Sequence, residues 1–232
     1  MQKKNSDKTL YNIFAFLFII GSLILAIHFW SFNEPFYRSE HSKLTLYGRS
    51  IADHIGISEE DLDELTHFTL SYLNDPKASL DLQMEVNGQM REIFTDDEKA
   101  HMVDVRNLNL AANYIGIFCL FTSVFAIVHA MKKKQLPLLF ESYKRILFYT
   151  AAVLAVLGIW ILIDFDSFWT MFHHVFFPSN ELWILDLRKD ILIMIVPPEF
   201  FNHLVITIVV TYIVLLAATY VVLRHFARKG SL

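Results

Sequence analysis

Four stretches of this chain, Leu10 to Trp30, Leu108 to Met131, Ile146 to Ile163 and Leu204 to Leu223, are long, apolar and free of central charge. At a helical rise of about 1.5 Å per residue, about 20 such residues cross the hydrocarbon core of a bilayer. Hydrophobic residues make up 54% of the chain, above the roughly 45–50% of soluble domains, so the excess needs lipid to cover it. The sequence therefore predicts an α-helical integral membrane protein with four transmembrane helices and a small extracytoplasmic α+β cap. The first stretch is longer than the h-region of a signal peptide and ends in Ile27-His28-Phe29-Trp30 without a small-x-small cleavage site, which makes it a retained anchor.

Charge gives the direction of each span. Lys3, Lys4 and Lys8 precede the first, five Lys and Arg lie in 132–145, and Arg224, Arg228 and Lys229 follow the last. These segments sum to +9, whereas the other two polar stretches sum to −13. By the positive-inside rule both termini are expected in the cytoplasm and the acidic stretches outside. The expected organisation is 1–30 for the N-terminus and first span, 31–107 for the cap, 108–131 for the second span and 132–145 for a cytoplasmic loop. It continues with 146–163 for the third span, 164–203 for an aromatic outer loop, 204–223 for the fourth span and 224–232 for a cytoplasmic tail. The net charge of −4 and this distribution give no footing for nucleic acid. Cys119 is the only cysteine, which excludes an internal disulfide and a thiolate cluster.

Within 31–107 the local signals are strong. Ser58-Glu59-Glu60-Asp61 reads as a capping box before Leu62, Leu65, Phe68 and Tyr72 at helical spacing, with Asp75-Pro76 as the stop. Alternating Leu80, Leu82, Met84 and Val86 run into Asn87-Gly88, which predicts a hairpin over 79–94. Thr95-Asp96-Asp97-Glu98 opens a further helix that nothing interrupts before the second span, and it carries His101, Asp104 and Arg106 in its first turns. His101 and Asp104 share a face, where a carboxylate can orient an imidazole.

In the second outer stretch Phe165, Phe168, Trp169, Phe172, Phe176 and Phe177 crowd around His173 and His174 up to Pro178, and Trp183 follows. Pro197 and Pro198 then start the last helix, with Phe200 and Phe201 close behind. His101 and His173 are thus expected in one interfacial zone walled by rings. The same ring density also suits a plain membrane anchor, and Asp104 also suits the acid-favouring first turns of any helix. His28, His41, His54, His67, His129, His203 and His225 read as amphipathic interface residues. His101, Asp104 and His173 lack the spacing of a metal motif, and no Gly-rich phosphate loop, G-x-S-x-G elbow or Ser-centred triad occurs. Neither a metal nor a cofactor is expected.

The segment Glu98-Lys99-Ala100-His101-Met102-Val103-Asp104-Val105 and the segment Phe172-His173-His174-Val175-Phe176-Phe177-Pro178, followed by Trp183 and Pro198-Glu199-Phe200-Phe201, together resemble a known family. It is the bacterial lipoprotein intramolecular transacylase family, Lit, and the likeness extends over nearly the whole chain. The resemblance implies a multi-pass enzyme of the bacterial cell membrane, working at the extracytoplasmic interface, with catalytic histidines at His101 and His173. It implies a shift of the sn-2 acyl chain of an S-diacylglyceryl lipoprotein to the amine of its N-terminal cysteine, giving the lyso form. Diacylated lipoproteins would be the substrates, membrane lipid the surroundings and a monomer the expected state. Asp104, Arg106, Trp169, Phe172, Phe176, Phe177 and Trp183 are the candidate substrate-binding residues. The ring that closes in such a shift has about eight atoms, so holding both ends together would be a large part of catalysis. A non-enzymatic interaction subunit and a phospholipid acyl hydrolase or transferase are the competing classes.

Overall fold

The computed structural model of the protein describes residues 2–229, with side chains from residue 7 onward. The side chains of Lys3 and Lys4 and the last three residues of the expected tail lie outside the described residues. In chain order the elements are α1 (Gln2–Ser31), α2 (Glu34–His41), β1 (Thr45–Leu46), β2 (Arg49–Ser50), α3 (Ile51–Ile55), α4 (Glu59–Asn74), β3 (Gln83–Val86) and β4 (Gln89–Glu92). They continue with α5 (Asp96–Lys132), α6 (Leu136–Ile163), α7 (Phe165–Phe176), α8 (Ile191–Ile195) and α9 (Pro198–Lys229). Four of them, α1, α5, α6 and α9, are long and apolar enough to cross a membrane.

Each long helix outruns its apolar stretch. The polar segment 132–145, expected as a loop, is mostly the start of α6, leaving only 133–135 between helices. Pro137 stands in the first turn of α6, where a missing N–H breaks no bond, so it starts the helix instead of interrupting it. Lys144 pairs with Glu141 one turn earlier at 2.8 Å.

The chain divides into two compact units. The first comprises Met1–His28, Ala112–Asp164 and Thr207–Leu232. Here glycine lets helices meet closely: a Cβ on Gly21 would lie 2.9 Å from Cβ of Cys119, and one on Gly116 would lie 2.8 Å from Cγ2 of Ile24. Small residues serve this purpose in lipid, where packing rather than the hydrophobic effect joins helices. Buried tyrosines complete the links. Tyr11 Oη donates to Gln135 Oε1 at 2.9 Å, Tyr143 Oη to the Leu216 carbonyl at 2.8 Å and Tyr212 Oη to the Ile19 carbonyl at 2.9 Å. Without water, each of these hydroxyls must find its acceptor within the protein. Phe121, Phe148, Leu162 and Ile163 are exposed, Ile163 to 80%, as expected of faces meant for acyl chains.

The second unit comprises Phe29–Ala111 and Phe165–Ile206. Its core joins Ile51 and Ile55 of α3, Leu62 and Leu65 of α4, Met84 and Val86 of β3, Met102 of α5 and Ile191, Leu192, Met194 and Ile195 of α8. The Ser58 capping box is formed with Asp61, as the sequence predicts. So is the hairpin: β3 and β4 pair antiparallel with Val86 opposite Gln89, and Asn87 and Gly88 both take positive φ, 51° and 77°. That turn twists with its strands, and glycine adopts it without penalty. The Asn87 N–H donates to the Gly56 carbonyl at 2.9 Å, tying the hairpin tip to the end of α3.

The second capping box does more than start α5. Glu98 Oε2 accepts from the Thr95 N–H at 2.7 Å and from its hydroxyl at 2.9 Å, while Oε1 accepts from the Leu192 N–H at 2.7 Å. Glu98 is fully buried. One carboxylate therefore joins the start of α5, one turn before His101, to the first turn of α8.

Candidate active site

The stretch expected as an aromatic loop is largely a helix. Phe165, Phe168, Trp169, Phe172, His173 and Phe176 recur at helical spacing over the twelve residues of α7, and Pro178 ends it. Asp166, Ser167, Thr170 and Met171 fall between the members of this stripe, so the helical period is present in the sequence itself.

His173 of α7 and His101 of α5 are both buried, 6% and 7% exposed, with ring centroids 6.2 Å apart and planes inclined by 36°. Phe177, also buried, meets both: its ring is edge-on to His101 at 5.4 Å and 5.8 Å from His173. Trp183 stacks on His173 at 4.7 Å, and Trp169 packs edge-on to it at 4.8 Å. Phe172 touches His173 at 5.5 Å and stacks on Trp169 at 5.2 Å. Phe201, from the first turn of α9, closes on Trp169 at 4.4 Å. Two imidazoles thus sit side by side in a vault of rings.

Their nitrogens are not equivalent. His173 Nδ1 lies 2.8 Å from the Trp169 carbonyl. A carbonyl only accepts, so Nδ1 carries the proton and Nε2 keeps a free lone pair. His101 Nδ1 is sealed from solvent and has no hydrogen-bond partner. A buried N–H without an acceptor is costly, which places the His101 proton on Nε2, the nitrogen that is not sealed. One ring therefore offers an acceptor and the other a donor. Both hold a neutral form: burial, with a smaller push from His173, lowers the pKa of His101 to about 4 on the polar turns ahead of Leu108, against the pull of Asp104. Burial also lowers His173, against the raising effect of the Trp169 carbonyl and with a further push from His174. A neutral donor–acceptor pair buried among aromatic rings suits acyl transfer, where one group removes a proton from the nucleophile and another stabilises the developing oxyanion.

The family's sequence profile, described as lipoprotein intramolecular transacylase Lit, matches residues 12–201. The chain belongs to the Lit family. It is accordingly a multi-pass α-helical membrane protein and an acyltransferase, with lipoprotein as its substrate class. Among solved structures it is similar to the membrane integral Lit from Bacillus cereus, with a TM-score of 0.74 and 22% identity over 97% of this chain and 99% of that one. A variant of the same protein with a histidine-to-alanine mutation gives a TM-score of 0.74 at 20% identity, covering 99% and 97%. One with a histidine-to-arginine mutation gives 0.71 at 20%, covering 98% and 96%. A sequence comparison with curated proteins finds no match.

Four candidates of this Lit-family chain remain. His174 is exposed and meets the edge of Trp183 at 5.3 Å. Phe176 lies on the outer side of α7, 47% exposed, and touches Phe172 rather than an imidazole. Arg106 is engaged elsewhere: its Nη1 donates to the Ala78 carbonyl at 2.8 Å, and its guanidinium lies 4.4 Å from the centre of the Tyr72 ring. Asp104, expected beside the His101 imidazole, instead accepts from Asn180 Nδ2 at 2.9 Å. Among the described residues no three His, Cys, Asp or Glu side chains converge on a point that could hold a metal. The sequence reading missed Asn180, whose only signal was its place between Pro178 and Trp183. It also missed the second role of Glu98, which depends on a partner 94 residues away.

Proposed function

We propose that the chain moves the sn-2 acyl chain of an S-diacylglyceryl lipoprotein onto the amine of its N-terminal cysteine, with His173 as the base and His101 as the oxyanion donor. The observation that carries this reading is the contrast between the two buried rings, His173 Nδ1 lying against the Trp169 carbonyl and His101 Nδ1 sealed without a partner. The cysteine amine attacks the ester carbonyl carbon, and the new N–C bond pushes an electron pair onto the carbonyl oxygen. His101 Nε2–H donates to that oxyanion. His173 Nε2 takes the proton released from nitrogen, its Nδ1–H held by the Trp169 carbonyl, which stabilises the imidazolium. When the C–O bond breaks, the same proton passes to the glyceryl oxygen. Ester and amine have then become amide and alcohol, with no net gain or loss of protons by the enzyme.

Trp169, Phe172, Phe177 and Trp183 exclude water, which would otherwise hydrolyse the ester, and hold the folded-back substrate for ring closure. The positive segments around the spans favour both termini in the cytoplasm and this site at the outer surface of the bacterial cell membrane.

The test is a membrane assay in which the lipopeptide product is read by mass spectrometry. His173→Ala and His173→Gln should both abolish lyso-form product. His101→Ala should abolish it as well, while His101→Gln, which keeps an N–H donor, should retain a measurable fraction. His174→Ala should leave it intact. Full activity of His173→Gln would remove His173 as the base. Release of lysophospholipid in place of the rearranged lipopeptide would move the activity to the phospholipid class.

A further inference from the structure

The turn between α7 and α8 carries a bonding chain that ends at the proposed base. Asn180 Nδ2 donates to Asp104 Oδ2 at 2.9 Å, and Asn180 Oδ1 accepts from the Leu182 N–H at 3.2 Å. The next residue is Trp183, whose indole lies nearly parallel to the His173 imidazole, inclined by 22° at 4.7 Å. Both amide ends of Asn180 are therefore used: one fastens the turn to α5, the other shapes it just ahead of the indole.

The indole is also held at a cost. Trp183 Nε1 is sealed from solvent without a hydrogen-bond partner. A buried donor left unpaired favours leaving the site, so the turn must keep the ring where it stacks. Stacking matters most when His173 carries the transferred proton. The negative face of an indole attracts a cation far more than a neutral ring, so the contact stabilises the imidazolium of the transition state more than the resting enzyme.

We infer that Asn180, anchored on Asp104, is a positioning residue for the transfer reaction, holding Trp183 against the proton-accepting histidine. This rests on the reading of His173 as the base. Asn180 bonds to Asp104 and Leu182 rather than to an imidazole, and its role needs no contact with substrate. Its effect should appear in turnover and in the proton affinity of His173, with little change in substrate affinity.

The experiment uses the full-length protein in lipid nanodiscs with a synthetic diacylated lipopeptide, and follows the His173 resonance through a pH titration. Asn180→Ala should lower kcat on the order of 10- to 100-fold while KM stays within about twofold, and should move the His173 titration. Asn180→Asp places two carboxylates together and should be worse. Adding Asp104→Asn to it restores an amide–carboxylate bond with the polarity reversed, and should recover both turnover and the titration. The inference is overturned if Asn180→Ala turns over normally, if the His173 titration does not move, or if the reciprocal pair fails to recover what Asn180→Asp loses. If Asn180→Asp does not fold, the pair and Asn180→Ala decide. His173→Ala in the same assay separates the two ideas: activity there ends the base assignment, whereas the titration still reports whether Asn180 sets the environment of that ring.

Discussion

Removing the carboxylate of Glu98 should loosen the second unit at a definable place. In Glu98→Ala, the Leu192 N–H loses its acceptor while still enclosed by Ile191, Met194 and Ile195, and the Thr95 N–H and hydroxyl lose theirs. A buried donor left unpaired costs about 1–3 kcal/mol, and loss of an N-terminal cap adds about 1 kcal/mol. The sum, about 2–4 kcal/mol, corresponds to roughly 30- to 1,000-fold more frequent local opening at 1.4 kcal/mol per decade. Amide hydrogen exchange followed by mass spectrometry would read it. Peptides covering α8 and the first turn of α5 should lose protection by that factor, while those covering α6 remain unchanged. Glu98→Gln should fall between: its oxygen can still serve Leu192, but its amide then meets the Thr95 donors. Unchanged exchange at Leu192 in Glu98→Ala would show that water or a neighbour replaces the carboxylate and that the join between α5 and α8 does not depend on it.

Other outcomes follow from the same packing. The depressed pKa values of His101, about 4, and His173 mean that the unfolded chain binds protons at these rings before the native one does. Stability should therefore be flat above about pH 6.5 and decline as the pH falls toward about 4, a trend that Phe substitution at either ring would reduce in a denaturant titration. Gly21→Val should push α1 from α5 by overpacking, at about 1–3 kcal/mol, and lower the yield of folded protein in fluorescence-detected size exclusion. Arg106→Ala should cost about 1–2 kcal/mol through its lost carbonyl bond and its contact with Tyr72, and raise the exchange of 75–80 with kcat unchanged.

How much was legible in the chain depended on the range of each signal. The Ser58 and Thr95 boxes and the Asn87-Gly88 turn are complete within four residues, and all three formed where they were read. Lipid imposes its own simple rule on the four spans, which is why their apolar centres were plain. The polar starts of α5 and α6 were harder, because charge marks the end of a hydrocarbon layer without marking the end of a helix. α7 carried its helical period openly, with Asp166, Ser167, Thr170 and Met171 set between the members of the ring stripe, but so dense a run of rings also suits an interfacial loop. The pairing of His101 with His173 was anticipated from resemblance and ring density, but their unequal nitrogens were not. Those depend on one carbonyl one turn back along α7 and on one sealed nitrogen, and neither has a counterpart in residue spacing.

The acceptor that governs the His173 ring belongs to the main chain. No exchange of the Trp169 side chain can delete it, so genetic drift at that site would erode the chamber's wall while leaving the orientation of the imidazole in place. Only a change that bends or unwinds α7 would release the ring. The fold around this ring should then be more tolerant of altered aromatic neighbours than of a single misplaced proline in α7.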